Sequence, residues 1–205
     1  MARAKKTARK SKRTRKAAAR PPRANDAIAL LKADHRQVEE WFEQFEATRS
    51  SARKSTLAGE ICQALKVHTE IEEEIFYPQF LEATGEVSTH HEAEVEHNGA
   101  KRLIREIESG GAEDDYFDAK VKVLSEMIKH HVNEEEKRDG MFAKARQSKM
   151  DLTAIGARLA ARKAELMGTR SAGEGTAADD SAEPASSRSR RANGGVARAA
   201  RHAER

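Results

Sequence analysis

Six histidine and glutamate residues stand where amphipathic helices would carry apolar residues. His35, for example, falls between Leu31 and Val38 on one helical stripe. Burying a carboxylate is costly unless it is paired or bound to a cation. Six such residues on four helices indicate a shared metal site; the alternative is a buried His–Glu hydrogen-bond network without metal. The six are His35, His68, Glu72, His97, His131 and Glu135.

The spacing of these residues occurs twice along the chain. His68 and Glu72 are four residues apart and therefore project from one helix face about one turn apart. A second pair of this kind, His131 and Glu135, follows 63 residues later. The single His35 likewise has a counterpart 62 residues later, His97. Each half thus resembles a helical hairpin that carries one His and then His-x-x-x-Glu. Two packed hairpins would bring six ligands together, which fits two metal ions bridged by two carboxylates.

The donor set narrows the choice of metal. Imidazole and carboxylate ligands suit iron, manganese or zinc. The single cysteine, Cys62, excludes a cysteine cluster and an intrachain disulfide framework, which favours a reducing compartment. Bridging carboxylates with histidines around them favour two non-haem iron ions, with manganese or zinc as alternatives.

The elements that must position these residues are amphipathic helices. Apolar stripes with steps of three and four residues predict five of them, and no segment alternates as a strand would. Pro78 is expected either to kink or to stop the second helix. Short connections between long helices predict an all-α, up-down-up-down four-helix bundle with an added C-terminal helix. The first helix is expected to begin at an N-cap, Asn25 or Asp26, and Gly168 is expected to end the fifth. The five predicted segments are Ile28 to Phe45, Ile61 to Gln79, Ser88 to Glu108, Phe117 to Phe142, and Leu152 to Leu166.

Charge and aromatic content separate an acidic body from two tails. Residues 1–23 contain eleven Lys or Arg and no acid, residues 24–167 carry a net charge of −9, and residues 168–205 carry +2. All nine aromatic residues lie in the middle part, so the tails lack the apolar surface needed to offset the entropy of folding. We therefore predict a basic disordered arm (1–23), a four-helix bundle (24–148), a C-terminal helix (149–167) and a disordered tail (168–205).

The motifs that carry these ligands resemble those of hemerythrin and of the hemerythrin-like HHE cation-binding domains. The resemblance covers about residues 26–147 and implies a four-helix bundle with a non-haem diiron centre. It also implies that Glu72 and Glu135 bridge the metals, with His35 and His68 on one iron and His97 and His131 on the other. The matching strings are Asp34-His35, His68-x-x-x-Glu72-Glu73, Glu96-His97 and His130-His131-Val132-x-Glu134-Glu135.

The sequence departs from the O₂-carrying hemerythrins in the third helix. Those proteins have a second histidine four residues before the ligand, whereas Ala93 stands four residues before His97. Glu94 is a candidate to fill this gap, and water is the alternative; His90, two turns from His97, is expected outside the ligand set. Replacing an imidazole changes redox potential and ligand access. Diiron binding therefore follows more directly from the sequence than reversible O₂ carriage does.

Two functional hypotheses of different classes follow. The first is a cytoplasmic diiron protein that binds, senses or reacts with O₂, peroxide or NO, or takes part in an iron or oxygen stress response. No catalytic residue beyond the metal ligands is predicted. The second is a nucleic-acid-associated protein of the nucleoid, in which residues 3–23 contact phosphates without sequence preference and the bundle is a metal-dependent scaffold or switch. No apolar run reaches the roughly 20 residues of a membrane helix, and the oligomeric state stays open.

Overall fold

The computed structural model describes residues 26–174, with side chains described as far as residue 168; within these limits the chain is helical and has no strand. A π-helical turn, Glu72–Phe76, joins α2 to α3, and a 3-10 turn, Gly111–Glu113, follows α4. The predicted arm and most of the predicted C-terminal tail lie outside the described residues. The helices are α1 (Ala27–Ala47), α2 (Ser51–Ile71), α3 (Tyr77–Thr84), α4 (Val87–Gly110), α5 (Phe117–Glu136), α6 (Met141–Gln147) and α7 (Leu152–Glu174).

Helices α1, α2, α4 and α5 form the predicted four-helix bundle. Helices α1 and α4 each pack against both α2 and α5. Asp26 caps α1 by accepting a hydrogen bond from the backbone N–H of Ala29 at 2.8 Å. Buried apolar side chains form two clusters along the bundle, and His35 lies between Leu31 of one cluster and Val38 of the other. The polar residues thus occupy a layer between two apolar ones.

Helix α7 packs across α1 and α2. Its apolar stripe is buried at Ile155, Leu159 and Leu166. The helix continues to Glu174, so Gly168 does not end it as predicted. A glycine inside a helix costs only about 1 kcal/mol relative to alanine, and a helix tolerates that cost. None of the helices within residues 26–174 is both long and apolar enough to cross a membrane.

Pro78 does not stop the second helical segment. Helical backbone runs through Pro78 in the first turn of α3 and ends at Gly85, whose φ of 71° is left-handed. In the π turn just before it, the N–H of Tyr77 donates to the carbonyl of Glu72, five residues back. A proline at the start of a helical turn lacks only an N–H that the helix does not need there.

The fourth predicted helix ends earlier than expected. Helix α5 stops at Glu136, and Phe142 belongs to the separate helix α6. A Cβ atom at Gly140 would lie 2.7 Å from the carbonyl oxygen of Glu135, so this close return of the chain requires glycine. The turn brings the Phe142 ring over His35, parallel to within 8° and with ring centroids 5.8 Å apart.

Candidate metal centre

The six predicted residues lie together in the middle of the bundle, each 5% exposed or less. The Nε2 atoms of His35 and His68 are 3.0 Å apart, and those of His97 and His131 are 3.2 Å apart. Glu72 is common to both pairs, because one of its carboxylate oxygens lies within 4.8 Å of the ligand atoms of either pair. The structure thus places two groups of metal-ligand type side by side with a shared glutamate.

Each of the two buried carboxylates contacts one histidine from each pair. This arrangement is the one that carboxylates bridging two cations require. Glu72 Oε1 and Glu135 Oε2 also have no hydrogen-bond partner among the described residues, so each carboxylate keeps an oxygen available to a cation. The Oε2-to-Nε2 distances are 3.2 Å to His68 and 3.4 Å to His97 for Glu72, and 3.5 Å to His35 and 3.7 Å to His131 for Glu135.

In each of the four histidines of this site, the second ring nitrogen faces a carboxylate from a neighbouring element of the bundle. Such partners fix the ring orientation and keep the proton on Nδ1, which leaves Nε2 as the free donor for a metal. The Nδ1 atoms lie 2.9 Å from Glu136 for His35, 3.0 Å from Glu73 for His97, 2.8 Å from Glu96 for His131, and 3.6 Å from Asp34 for His68. The first three are hydrogen bonds, and the fourth is a longer ion-pair contact.

Two imidazole nitrogens without protons repel each other at 3.0 Å, so a cation or a proton must lie between them. Nitrogens that share a metal ion at about 2.1 Å each have this spacing when they bind at right angles. Without a metal, a proton takes that place. Burial lowers the pKa of His35 to about 4. Burial also acts to lower the pKa of His68, but Glu72 and Asp34 outweigh it and raise that pKa to about 10.

The two buried carboxylates also favour a cation. Burial and the neighbouring charge of Glu72 raise the pKa of Glu135 to about 8. Burial opposes ionisation of Glu72 as well, but His68 outweighs it and holds the pKa of Glu72 well below its usual value. Two negative charges so close together in a buried site need positive charge beside them. The donor set and its electrostatics therefore fit bound metal ions.

Tyr77 is part of this site, and the sequence did not predict it. Its side chain is fully buried, and its hydroxyl oxygen lies 3.2 Å from His97 Nε2, 3.2 Å from Glu135 Oε1 and 3.4 Å from Glu72 Oε2. Its ring stacks on that of His97 with centroids 5.4 Å apart. Burial, Glu135 and Glu72 together raise the pKa of this phenol well above its usual value.

The sequence profile of the hemerythrin HHE cation-binding domain matches residues 26–143. The chain belongs to this family. Membership implies that the domain binds a metal ion, and the two buried His–Glu groups are the candidate ligands. The resemblance drawn from the sequence motifs is therefore confirmed.

Two relatives place this HHE domain among known proteins. A protein named DNA nickase from Nostoc sp. (strain PCC 7120) is 28% identical over 107 residues, which are 52% of this chain. The chain spans only 30% of that relative. The crystal structure of an HHE cation-binding domain-containing protein from Mycobacterium kansasii matches with a TM-score of 0.62 and 20% identity, over 74% of this chain and 93% of the other. The latter likeness confirms the fold.

Glu94, the candidate for the gap in the third predicted helix, lies outside the buried site of the HHE domain. Its side chain is 48% exposed, and its carboxylate lies 3.6 Å from Nδ1 of His90. Ala93 and Glu94 occupy different faces of α4 because successive residues of a helix are about 100° apart. The hydroxyl of Tyr77, in contrast, lies 3.2 Å from Nε2 of His97.

Two cavities lead from the surface of the HHE domain to the histidines. One, of about 140 Å³, reaches His131 and Glu135 between α4, α5 and α6. The other, of about 290 Å³, reaches His35 beside Phe42 and Val132. Each leads to a different histidine pair.

Proposed function

We propose that this HHE domain holds two non-haem iron ions and uses them to bind, sense or react with O₂, peroxide or NO, or to take part in an iron or oxygen stress response. The observation that carries the proposal is the pairing of the histidines. In each pair the Nε2 atoms face each other at 3.0 or 3.2 Å, while the Nδ1 atoms face carboxylates. This arrangement favours cations between the rings.

Under this proposal each side chain has a defined task. His35 and His68 would hold one iron, His97 and His131 would hold the other, and both irons would share Glu72 and Glu135. The bound irons would supply a redox-active centre with affinity for small ligands. The surrounding carboxylates keep the rings oriented, and the two apolar clusters exclude bulk water from the centre.

Metal analysis of the full chain expressed with added iron tests the proposal. We expect about two iron atoms per chain, and loss of iron and of thermal stability in the His68→Ala variant. His202, which lies outside the residues that match the family, supplies the matched control because His202→Ala should leave both unchanged. Absence of bound metal, with His68→Ala as stable as the parent protein, would contradict the proposal. Bound manganese or zinc would correct the identity of the metal.

The response to small ligands separates the possible roles of the centre. We would mix the reduced, iron-loaded protein with O₂, peroxide or NO and follow its optical spectrum by stopped flow. A long-lived and reversible spectral change indicates binding. Immediate and irreversible oxidation indicates sensing or turnover. No spectral change with any of the three would contradict a small-ligand role.

A second candidate function is association with nucleic acid in the cytoplasm or nucleoid. It is favoured by the eleven basic residues within residues 1–23 and by the relative named DNA nickase. Contacts from such an arm would be directed at phosphates and sensitive to salt. Gel shifts of the full chain and of residues 24–205 against duplex DNA test the idea. Equal DNA affinity of the two proteins would show that the arm does not contribute to DNA binding.

A further inference from the structure

The two histidine pairs have different aromatic neighbours. The ring stacked on His35 is Phe142, and the ring stacked on His97 is Tyr77. Both rings are buried, and they have nearly the same shape. The two stacked aromatic side chains therefore differ by one oxygen atom, which Tyr77 supplies only on the side of His97 and His131.

That oxygen lies among ligand-type atoms. The Tyr77 hydroxyl is 3.2 Å from His97 Nε2 and 3.2 Å from a carboxylate oxygen of Glu135. His97 and His131 are two candidate ligands of a single ion, and their Nε2 atoms are also 3.2 Å apart. The phenol oxygen is thus as close to the metal ligands as they are to one another.

The local backbone explains how Tyr77 comes to this place. The π turn Glu72–Phe76 adds a residue to the helical turn, so Tyr77 returns toward the face that carries Glu72. On α4, Ala93 is buried in the same apolar cluster as Tyr77, and its methyl side chain offers no metal ligand.

We propose that the phenol oxygen of Tyr77 is a ligand of the iron ion held by His97 and His131, on the side where Ala93 offers no imidazole. This inference rests on the proposed diiron function. An anionic oxygen donor suits ferric iron, a hard cation. On binding, the O–H bond of Tyr77 is replaced by an oxygen–iron bond, and the proton is released to solvent. A bound cation outweighs the repulsion that Glu72 and Glu135 exert on a phenolate.

The visible spectrum of the oxidised, iron-loaded full chain tests the inference. A phenolate bound to ferric iron gives a charge-transfer band, and resonance Raman excitation in this band enhances phenolate ring vibrations. We expect both signals in the native protein and their loss in Tyr77→Phe. Tyr116, the second of two tyrosines in the chain, is 70% exposed, so Tyr116→Phe is the matched control and should keep both signals.

The control variant also protects the test against a folding defect. In Tyr116→Phe, Tyr77 is the sole tyrosine, so phenolate vibrations in that variant identify Tyr77 even if Tyr77→Phe does not fold. A native protein with about two irons but no phenolate signal overturns the inference and leaves the diiron proposal standing. Signals that persist in Tyr77→Phe do the same. A native protein that binds no metal overturns both.

Discussion

Glu136, the last residue of α5, accepts a hydrogen bond from Nδ1 of His35 in α1 at 2.9 Å. Its neighbour in sequence, Glu135, instead faces the Nε2 atoms. The same relation recurs around the bundle, because four acids that each adjoin a candidate ligand in sequence face a histidine on the next helix. The contacts form a closed ring through α1, α2, α4 and α5. The other three are Asp34 with His68, Glu73 with His97, and Glu96 with His131.

Replacing Glu136 with Gln should weaken metal binding. The amide keeps the shape of the side chain but removes the charge that orients His35, and loss of such a partner typically costs about 10- to 100-fold in metal affinity. Competition with a chromogenic chelator measures the change. Glu108→Gln is the control, because Glu108 pairs with Lys66 away from the site. An unchanged affinity in Glu136→Gln would show that this carboxylate does not tune His35.

Helix α7 reaches the site through Lys163. Its ammonium group pairs with Asp34, the acid that faces His68. We expect Lys163→Met to weaken metal binding several-fold, since Asp34 would no longer be held toward the imidazole. Arg162→Met is the matched control, because Arg162 pairs with Glu70 and Glu74 and touches no histidine partner. If both variants weaken metal binding equally, docking of α7 is responsible and not the Lys163 contact.

Gly140→Ala should destabilise the protein. The added Cβ would meet the carbonyl oxygens of Glu134 and Glu135, and such overpacking typically costs about 1–3 kcal/mol. Gly59→Ala in α2 supplies the opposite case, because nothing lies within 4 Å of its added Cβ and alanine is the better helix former by about 1 kcal/mol. Urea unfolding of the two variants measures both changes. Equal effects would contradict the close approach at Gly140.

Cys62 should be unreactive in the folded protein. Burial raises the pKa of its thiol to about 12, so roughly one thiol in ten thousand is ionised at pH 8. An unfolded thiol ionises at a pKa of about 8.5. Between these values the folded state keeps a proton that the unfolded state loses, so the free energy of unfolding falls as pH rises. A disulfide reagent should react slowly with the native chain and fast in guanidinium, whereas equal rates would contradict burial.

The periodicity of the sequence predicted features that depend on one helix alone, such as the face on which a side chain lies. The faces carrying His35 and His97 follow from steps of three and four residues, and the structure places them in the polar layer as predicted. Tyr77 was missed because it lies five residues after Glu72, which is off the face in an α-helix but returns toward it through a π turn. Helical periodicity alone does not signal such a turn.

The acids of the ring were missed for a different reason. A residue next to a ligand lies about 100° around its own helix and reads as part of a solvated face. Only the neighbouring helix shows that Glu73 or Glu136 has a partner there. One signal was present, because both halves of the repeat carry an acid before the first histidine and another after the glutamate. The break between α5 and α6 accompanies a local backbone contact, in which Gly140 approaches the carbonyl oxygens of Glu134 and Glu135.

The repeat of His-x-x-x-Glu has a consequence for how the molecule is assembled. The two hairpins face each other much as identical subunits do across a twofold axis, with the same kinds of contact running in both directions. Glu73 of the first hairpin supports His97 of the second, and Glu136 of the second supports His35 of the first. Neither hairpin orients all of its own histidines. The centre therefore lies at an interface between two dimer-like halves of one chain. The two halves complete their ligand sets at the moment when they dock.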